Sequence, residues 1–280
     1  MQGKHVLITG VNSGIGYATA KLLAEKGAKI SLLVRSSEKG GTTIKNIHES
    51  VPQAEIDYFV ADLSSQAEVR AAAEEFKKKY NELDVLINNA GAFYSSLQYS
   101  VDGIEMQWAI NHLAPFLLTH LLLDELKAAP QGRIVNVSSN AHRRGSINFD
   151  DLYYEKDYKG FQVYCQNKLA NVFFTKSLSK RLKDTDVTVN ALHPGFVKSD
   201  IGMKHDSGLA HWIWRLMKPF MITLEEGAAT SVYLASSDDV TNISGGFFEK
   251  CKKVKPGRKS NDEAVEERLY QLSLEQCGLN

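Results

Sequence analysis

His5-Val6-Leu7-Ile8-Thr9-Gly10-Val11-Asn12-Ser13-Gly14-Ile15-Gly16 stands almost at the amino terminus. Its first five residues read as a buried strand, and the apolar period from Ile15 to Lys26 reads as a helix. Between them, glycines let the backbone turn sharply and approach a ligand without side-chain clash. The following helix N-terminus offers free N–H groups and the positive end of its dipole, which suits a phosphate. A glycine-rich turn alone is weak evidence. Placed between a first strand and a helix, it is the context of a dinucleotide pyrophosphate cradle.

The same rhythm continues along the chain. Short β-branched runs at Lys29–Val34, Glu55–Val60, Asp84–Ile87, Arg133–Ser138, Val187–Leu192 and Gly246–Glu249 predict further strands. Helical periods at Ser65–Tyr80, Gly103–Lys127, Phe161–Lys183 and Glu225–Ser236 separate most of them. Apolar runs without alternation suit strands covered on both faces. The expected fold is therefore α/β: a single Rossmann-like, doubly wound domain on a predominantly seven-stranded parallel sheet, with ligands at the carboxyl edge. Two stretches break the pattern and read as long loops: the Tyr-rich Arg143–Lys159, and Gly202–Ile222 with Trp212, Trp214, Met217, Phe220 and Met221.

Composition narrows the function. A chain of 280 residues, 43% hydrophobic and 24% charged, has the makeup of a soluble globular domain. Its 33 basic and 33 acidic residues balance, which argues against nucleic acid as a partner. Cys165, Cys251 and Cys277 are too few and scattered for a disulfide framework, and His112 and His193 have no companions at metal-ligand spacing, so no metal is expected. No apolar run reaches the roughly 18 residues of a transmembrane helix, and no signal peptide is evident. The expected location is the cytoplasm.

Tyr164 and Lys168 lie four apart on a predicted helix and project from one face. A phenol with pKa ~10 is a poor acid–base at neutral pH until a nearby cation favours its phenolate. Tyr17 and Lys21 show the same spacing, but they sit just after the glycine turn and read as structural. Companions set Tyr164 apart. Ser138-Ser139 ends the fifth strand at the ligand edge. Asn111 lies within the helix after strand four.

The spacing Gly-x-x-x-Gly-x-Gly after Thr9, the Asn88-Asn89-Ala90-Gly91 turn and Tyr164-x-x-x-Lys168 resemble the short-chain dehydrogenase/reductase superfamily over nearly the whole chain. The resemblance implies a nicotinamide cofactor on Gly10, Asn12, Ser13, Gly14, Ile15 and Gly16. Asp62 and Leu63 would lie at the adenine, Asn89, Ala90 and Gly91 along the cleft, and Pro194, Gly195, Val197 and Ser199 over the nicotinamide. It also implies catalysis by Tyr164 as general acid/base, Ser139 on the substrate oxygen, Lys168 on the ribose and Asn111 in a proton relay. Relatives pair through the helices at Gly103–Lys127 and Phe161–Lys183, so a homodimer or homotetramer is implied.

Arg35 follows the second strand where an acid would accept the ribose hydroxyls of NAD. A guanidinium there suits a 2′-phosphate, with hydroxyls of Ser36 and Ser37 nearby, so NADP is expected and NAD disfavoured. Ser139 and Tyr164 lie 25 residues apart, wider than most of the superfamily. That insertion after Val-Ser-Ser-x-Ala-His, and the ending Ser244-Gly245-Gly246-Phe247-Phe248 before a final helix at about 261–277, look like the retinol dehydrogenase-like branch. The implied activity is reduction of a carbonyl or oxidation of an alcohol on an apolar small molecule, under an aromatic substrate loop at about 199–224. Reduction of an activated C=C bond and a non-catalytic NADP-sensing role are the alternatives. His142, Arg143 and Arg144 read as a solvated loop or as groups orienting a polar substrate. The basic run Lys250–Lys259 reads as a solvated face.

Overall fold

A computed structural model describes residues 1–196 and 222–279 of the chain. Eight strands form one sheet: β1 His5–Thr9, β2 Lys29–Val34, β3 Ile56–Val60, β4 Val85–Asn88, β5 Arg133–Val137, β6 Thr188–His193, β7 Phe247–Glu249 and β8 Lys252–Val254. Their order is β3-β2-β1-β4-β5-β6-β7-β8. The first seven are parallel, as the sequence predicts. The eighth is an addition, antiparallel to β7. It lies in the basic run and turns through Lys250 and Cys251, both left-handed with φ of 51° and 59°. Tight hairpins usually carry Gly or Asn there, so the sequence holds no turn signal at this point.

Alternation along the strands builds two cores, one on each face of the sheet. Leu7, Leu86, Ile134 and Val189 join Phe76, Trp108, Phe116 and Phe173 on one side. Val6, Ile8, Val85, Ile87 and Val135 join Leu23, Ile30 and Leu32 on the other. The covering helices are α1 Gly14–Glu25, α2 Ser37–His48, α3 Gln66–Lys79, α4 Met106–Trp108, α5 Ala114–Leu121, α6 Leu123–Ala128, α7 Gly160–Arg181, α8 Leu224–Ser236 and α9 Glu263–Gln276.

The single long helix expected over Gly103–Lys127 is broken. Between α4 and α5 the backbone widens into a π turn, Ala109–Leu113. Pro115 follows, without an N–H to give to the residue four before it. That residue is Asn111, whose carbonyl instead accepts Asn171 Nδ2 at 2.9 Å. The Arg143–Lys159 insertion is packed rather than loose: Ile147, Phe149, Leu152 and Tyr153 lie against the core.

Helix α9 lies across α5 and α7, the two helices through which pairing was expected. His112 Nε2 stands 2.8 Å from Ser273 Oγ, and His120 Nε2 stands 2.8 Å from the Tyr270 hydroxyl. Trp108 Nε1 donates to Gln276 Oε1 at 2.9 Å, and the Arg181 guanidinium lies 3.7 Å above the Tyr270 ring. No described helix is long and apolar enough to cross a membrane.

Strand order reverses at β1, whose neighbours are β2 and β4. The crevice at such a switch point is where open α/β sheets take ligands. The Gly10–Gly16 turn and the Asn88–Gly91 turn leave β1 and β4 at this point.

Candidate active site

The two turns are built against each other. Asn89 Nδ2 donates to the carbonyls of Thr9 and Gly10 at 2.9 and 3.0 Å. The backbone amides of Asn89 and Ala90 both donate to Thr9 Oγ1, at 3.0 and 2.9 Å. A Cβ on Gly10 would stand 2.7 Å from Ala90 Cα, and one on Gly16 would collide with the Gly10 carbonyl and Asn89 Nδ2. Those two glycines are required by packing. Gly14, at φ 65° with open space around its Cβ position, is required by conformation.

The cradle suits a pyrophosphate. Ser36 and Ser65 cap α2 and α3 with their hydroxyls, but Ser13 makes no such bond at the start of α1. The first N–H groups of α1 are therefore left for an anion. Asn12 and Ser13 are exposed beside it, and Ile15 is half-buried. Arg35 is exposed at the end of β2. Ser36 Oγ accepts Lys39 N at 3.4 Å, which leaves its proton free to donate. Asp62 Oδ1 is held by the amide and hydroxyl of Ser64 at 2.9 and 2.8 Å, with Leu63 half-buried beside it. Pro194 and Gly195 follow β6, Gly195 at φ 97°. Val197, Ser199 and the aromatic Trp212–Met221 stretch lie outside the described residues.

At the carboxyl end of β5 the two serines separate in role. Ser138 is buried and donates its hydroxyl to the Lys168 carbonyl at 2.7 Å. Ser139 is half-exposed, with its side chain close enough to Tyr164 to lower the phenol pKa. Lys168 is buried, donates to the Val137 carbonyl at 3.1 Å, and holds its Nζ 5.4 Å from the Tyr164 ring centroid. A Cβ on Gly91 would stand 3.5 Å from both Lys168 Nζ and Asn111 Oδ1, so these groups face each other across that glycine. Asn111 is fixed by the Ala92 backbone, accepting its N–H at 2.7 Å and donating to its carbonyl at 2.9 Å.

Burial sets the electrostatics. It pushes the Tyr164 phenol up to about 12, against the lowering effect of Ser139, and pushes the Lys168 ammonium down to about 8. The protein thus keeps Tyr164 protonated across the neutral range, and a further positive charge nearby would lower its pKa.

Tyr17 packs against the core below the sheet and Lys21 lies 3.9 Å from Glu25, so that pair takes no part in the site. His142 is not in a solvated loop: it is fully buried. Sequence reasoning also left Thr9 and Asn171 out of the site. Thr9 joins the two turns, and Asn171 holds the Asn111 carbonyl. The signals were faint: a hydroxyl residue at a strand end, and an amide three residues after Lys168.

Comparison with known proteins agrees with this geometry. The sequence model described as short chain dehydrogenase matches residues 4–210, and the chain belongs to that family. It falls in the retinol dehydrogenase-like branch. It is 41% identical over 279 residues to retinol dehydrogenase 12 of Homo sapiens, covering 100% of this chain and 88% of that protein. It is also 41% identical over 291 residues to retinol dehydrogenase 14 of Mus musculus, covering 100% and 87%. A solved uncharacterised protein from Mycobacterium paratuberculosis superposes with a TM-score of 0.80 at 31% identity, over 99% of this chain and 94% of that one. The NADPH-bound carbonyl reductase from chicken fatty liver shares the fold, with a TM-score of 0.67 at 24% identity over 91% and 99%. The chain is thus an oxidoreductase that interconverts carbonyl and alcohol groups on a small molecule with a nicotinamide cofactor.

Proposed function

We propose that the chain is an NADP(H)-dependent carbonyl reductase or alcohol dehydrogenase with Tyr164 as its general acid/base. The observation that carries this reading is the cluster at the switch point: Lys168 Nζ stands 5.4 Å from the Tyr164 ring centroid, with the Ser139 side chain close enough to lower the phenol pKa. When bound, the nicotinamide supplies or accepts the hydride. Ser139 and the Tyr164 hydroxyl together donate to the substrate carbonyl oxygen, which polarises it and steadies the charge that develops there. Tyr164, protonated across the neutral range, gives its proton to that oxygen. Lys168 binds the ribose and favours the phenolate left behind. The Asn111 carbonyl, freed by Pro115, has a second lone pair for a water on the path from Lys168 to solvent.

Arg35 supports NADP, because its exposed guanidinium at the end of β2 offers a 2′-phosphate a bidentate partner, with the Ser36 hydroxyl beside it. An apolar substrate of retinoid, steroid or xenobiotic type is supported by Phe93, whose ring lies edge-on 6.2 Å from Tyr164. The retinol dehydrogenases among the relatives and the aromatic composition of 212–221 point the same way. Three free cysteines, two of them buried, suit the reducing cytoplasm where we place the chain.

The test is absorbance at 340 nm over a panel of aldehydes and ketones with NADPH and NADH in parallel. NADPH turnover is expected to be preferred. Arg35→Asp is expected to weaken NADPH use by roughly 10- to 100-fold, the worth of about 1.5–3 kcal/mol in charge-assisted bonds. Equal use of NADH by the unaltered chain contradicts the role given to Arg35.

A further inference from the structure

We propose that His142 is a positioning residue, an imidazole that clamps the backbone of Ser139 and so fixes where the Ser139 hydroxyl stands beside Tyr164. His142 is fully buried, three residues after Ser139. Its Nδ1 stands 2.6 Å from the Ser139 carbonyl oxygen. Its Nε2 stands 2.8 Å from the backbone nitrogen of Gly257. A carbonyl can only accept and an amide N–H can only donate. The ring is therefore fixed in one tautomer, with the proton on Nδ1 and the lone pair on Nε2. The Ser139 carbonyl also accepts the His142 backbone N–H at 3.1 Å, so a single residue binds it twice.

That carbonyl belongs to the residue whose side chain does the chemistry. Ser139 Oγ accepts the Ala141 amide at 3.2 Å, which leaves its own proton free to donate. The far end of the clamp is anchored as firmly. Ser260 donates to the Gly257 carbonyl from its amide at 3.0 Å and its hydroxyl at 2.6 Å, and Lys176 of α7 donates to the Ser260 carbonyl at 2.5 Å. Gly257 packs closely on this turn: a Cβ there would stand 3.1 Å from Arg143 Cα and 3.4 Å from His142 Cδ2. Phe247 of β7 closes one side, with ring centroids 4.6 Å apart. Arg143 faces the imidazole, and His193, with Glu249 near it, lies close by. Burial and Arg143 keep the ring neutral, and a second proton would cost the Gly257 bond. The clamp thus ties the serine turn at the end of β5 to the segment after β8, which is remote in sequence.

The kinetic arm of the test rests on the carbonyl-reductase reading; the spectroscopic arm does not. His142→Asn keeps a donor where Nδ1 stands, and His142→Gln keeps an acceptor where Nε2 stands. We expect kcat of the Asn variant to stay within about threefold of the unaltered enzyme, and kcat of the Gln variant to fall about tenfold or more. NADPH dissociation constants, read by fluorescence titration, should be unchanged in both. Equal losses in the two variants, or no loss with Gln, overturn the proposal. Nitrogen-15 spectra at neutral pH should show a His142 ring protonated at Nδ1 alone, with any second protonation below the ordinary histidine range. A ring protonated at Nε2, or one titrating near the ordinary value of about 6.5, overturns it independently of turnover. An unaltered enzyme that reduces no carbonyl overturns the proposed function instead, and the tautomer then decides the clamp alone.

Discussion

Lys168 Nζ stands 5.4 Å from the centre of the Tyr164 ring and is anchored 3.1 Å from the Val137 carbonyl at the end of β5. The helical spacing of four sets the first distance, and the strand sets the second. Burial acts on the two groups in opposite senses, holding Tyr164 protonated and bringing the Lys168 ammonium within reach of neutralisation.

A pH dependence follows from the lysine. Its pKa is lowered to about 8, so the ammonium is fully present below that pH and is lost above it. A function that needs the charge should be flat up to about pH 8 and fall beyond. The readout is kcat/KM for NADPH, which reports ionisations of the free enzyme. A single alkaline limb near pH 8 is expected. Lys168→Arg should remove it, because a guanidinium does not deprotonate in this range. A limb that persists in the Arg variant would assign it to another group.

Two glycine substitutions should act with opposite sign. A Cβ on Gly16 meets the Gly10 carbonyl and Asn89 Nδ2, whereas one on Gly41, exposed within α2, meets nothing within 4 Å. Gly16→Ala is expected to cost about 1–3 kcal/mol of stability and to weaken cofactor binding. Gly41→Ala should stabilise by about 0.5–1 kcal/mol, the helical preference for alanine. Urea unfolding of both variants checks the pair, and destabilisation by Gly41→Ala would refute the assignment of open space.

The third prediction concerns assembly. Tyr270 of α9 lies against α5 at His120 and α7 at Arg181, while Ser273 and Gln276 meet His112 of the π turn and Trp108 of α4. Pairing of copies through those helices would first have to displace α9. Light scattering on the full chain is expected to return the mass of one copy. A dimer that cross-links between α5 or α7 of two copies would contradict this.

Much of the site was legible in the sequence because it is local. The Gly10–Gly16 turn, the Tyr164–Lys168 spacing and the seven parallel strands all follow from patterns a few residues long. What stayed hidden depends on contacts distant in sequence. Thr9 meets Asn89 and Ala90 across the switch point, and His142 reaches Gly257. The π turn needed Pro115 to be read as a lost donor to Asn111 rather than as a residue inside a helix. Strand β8 follows a hairpin turn made of Lys250 and Cys251, residues that do not announce one.

The most direct test of the account is NADPH oxidation by Tyr164→Phe beside the unaltered chain, on the best carbonyl of the panel. Removing the phenolic proton while keeping the ring should lower kcat by roughly 10²- to 10⁴-fold, the usual worth of a general acid, with NADPH still bound. Turnover by the Phe variant at the rate of the unaltered chain would show that Tyr164 is not the acid and would contradict the mechanism.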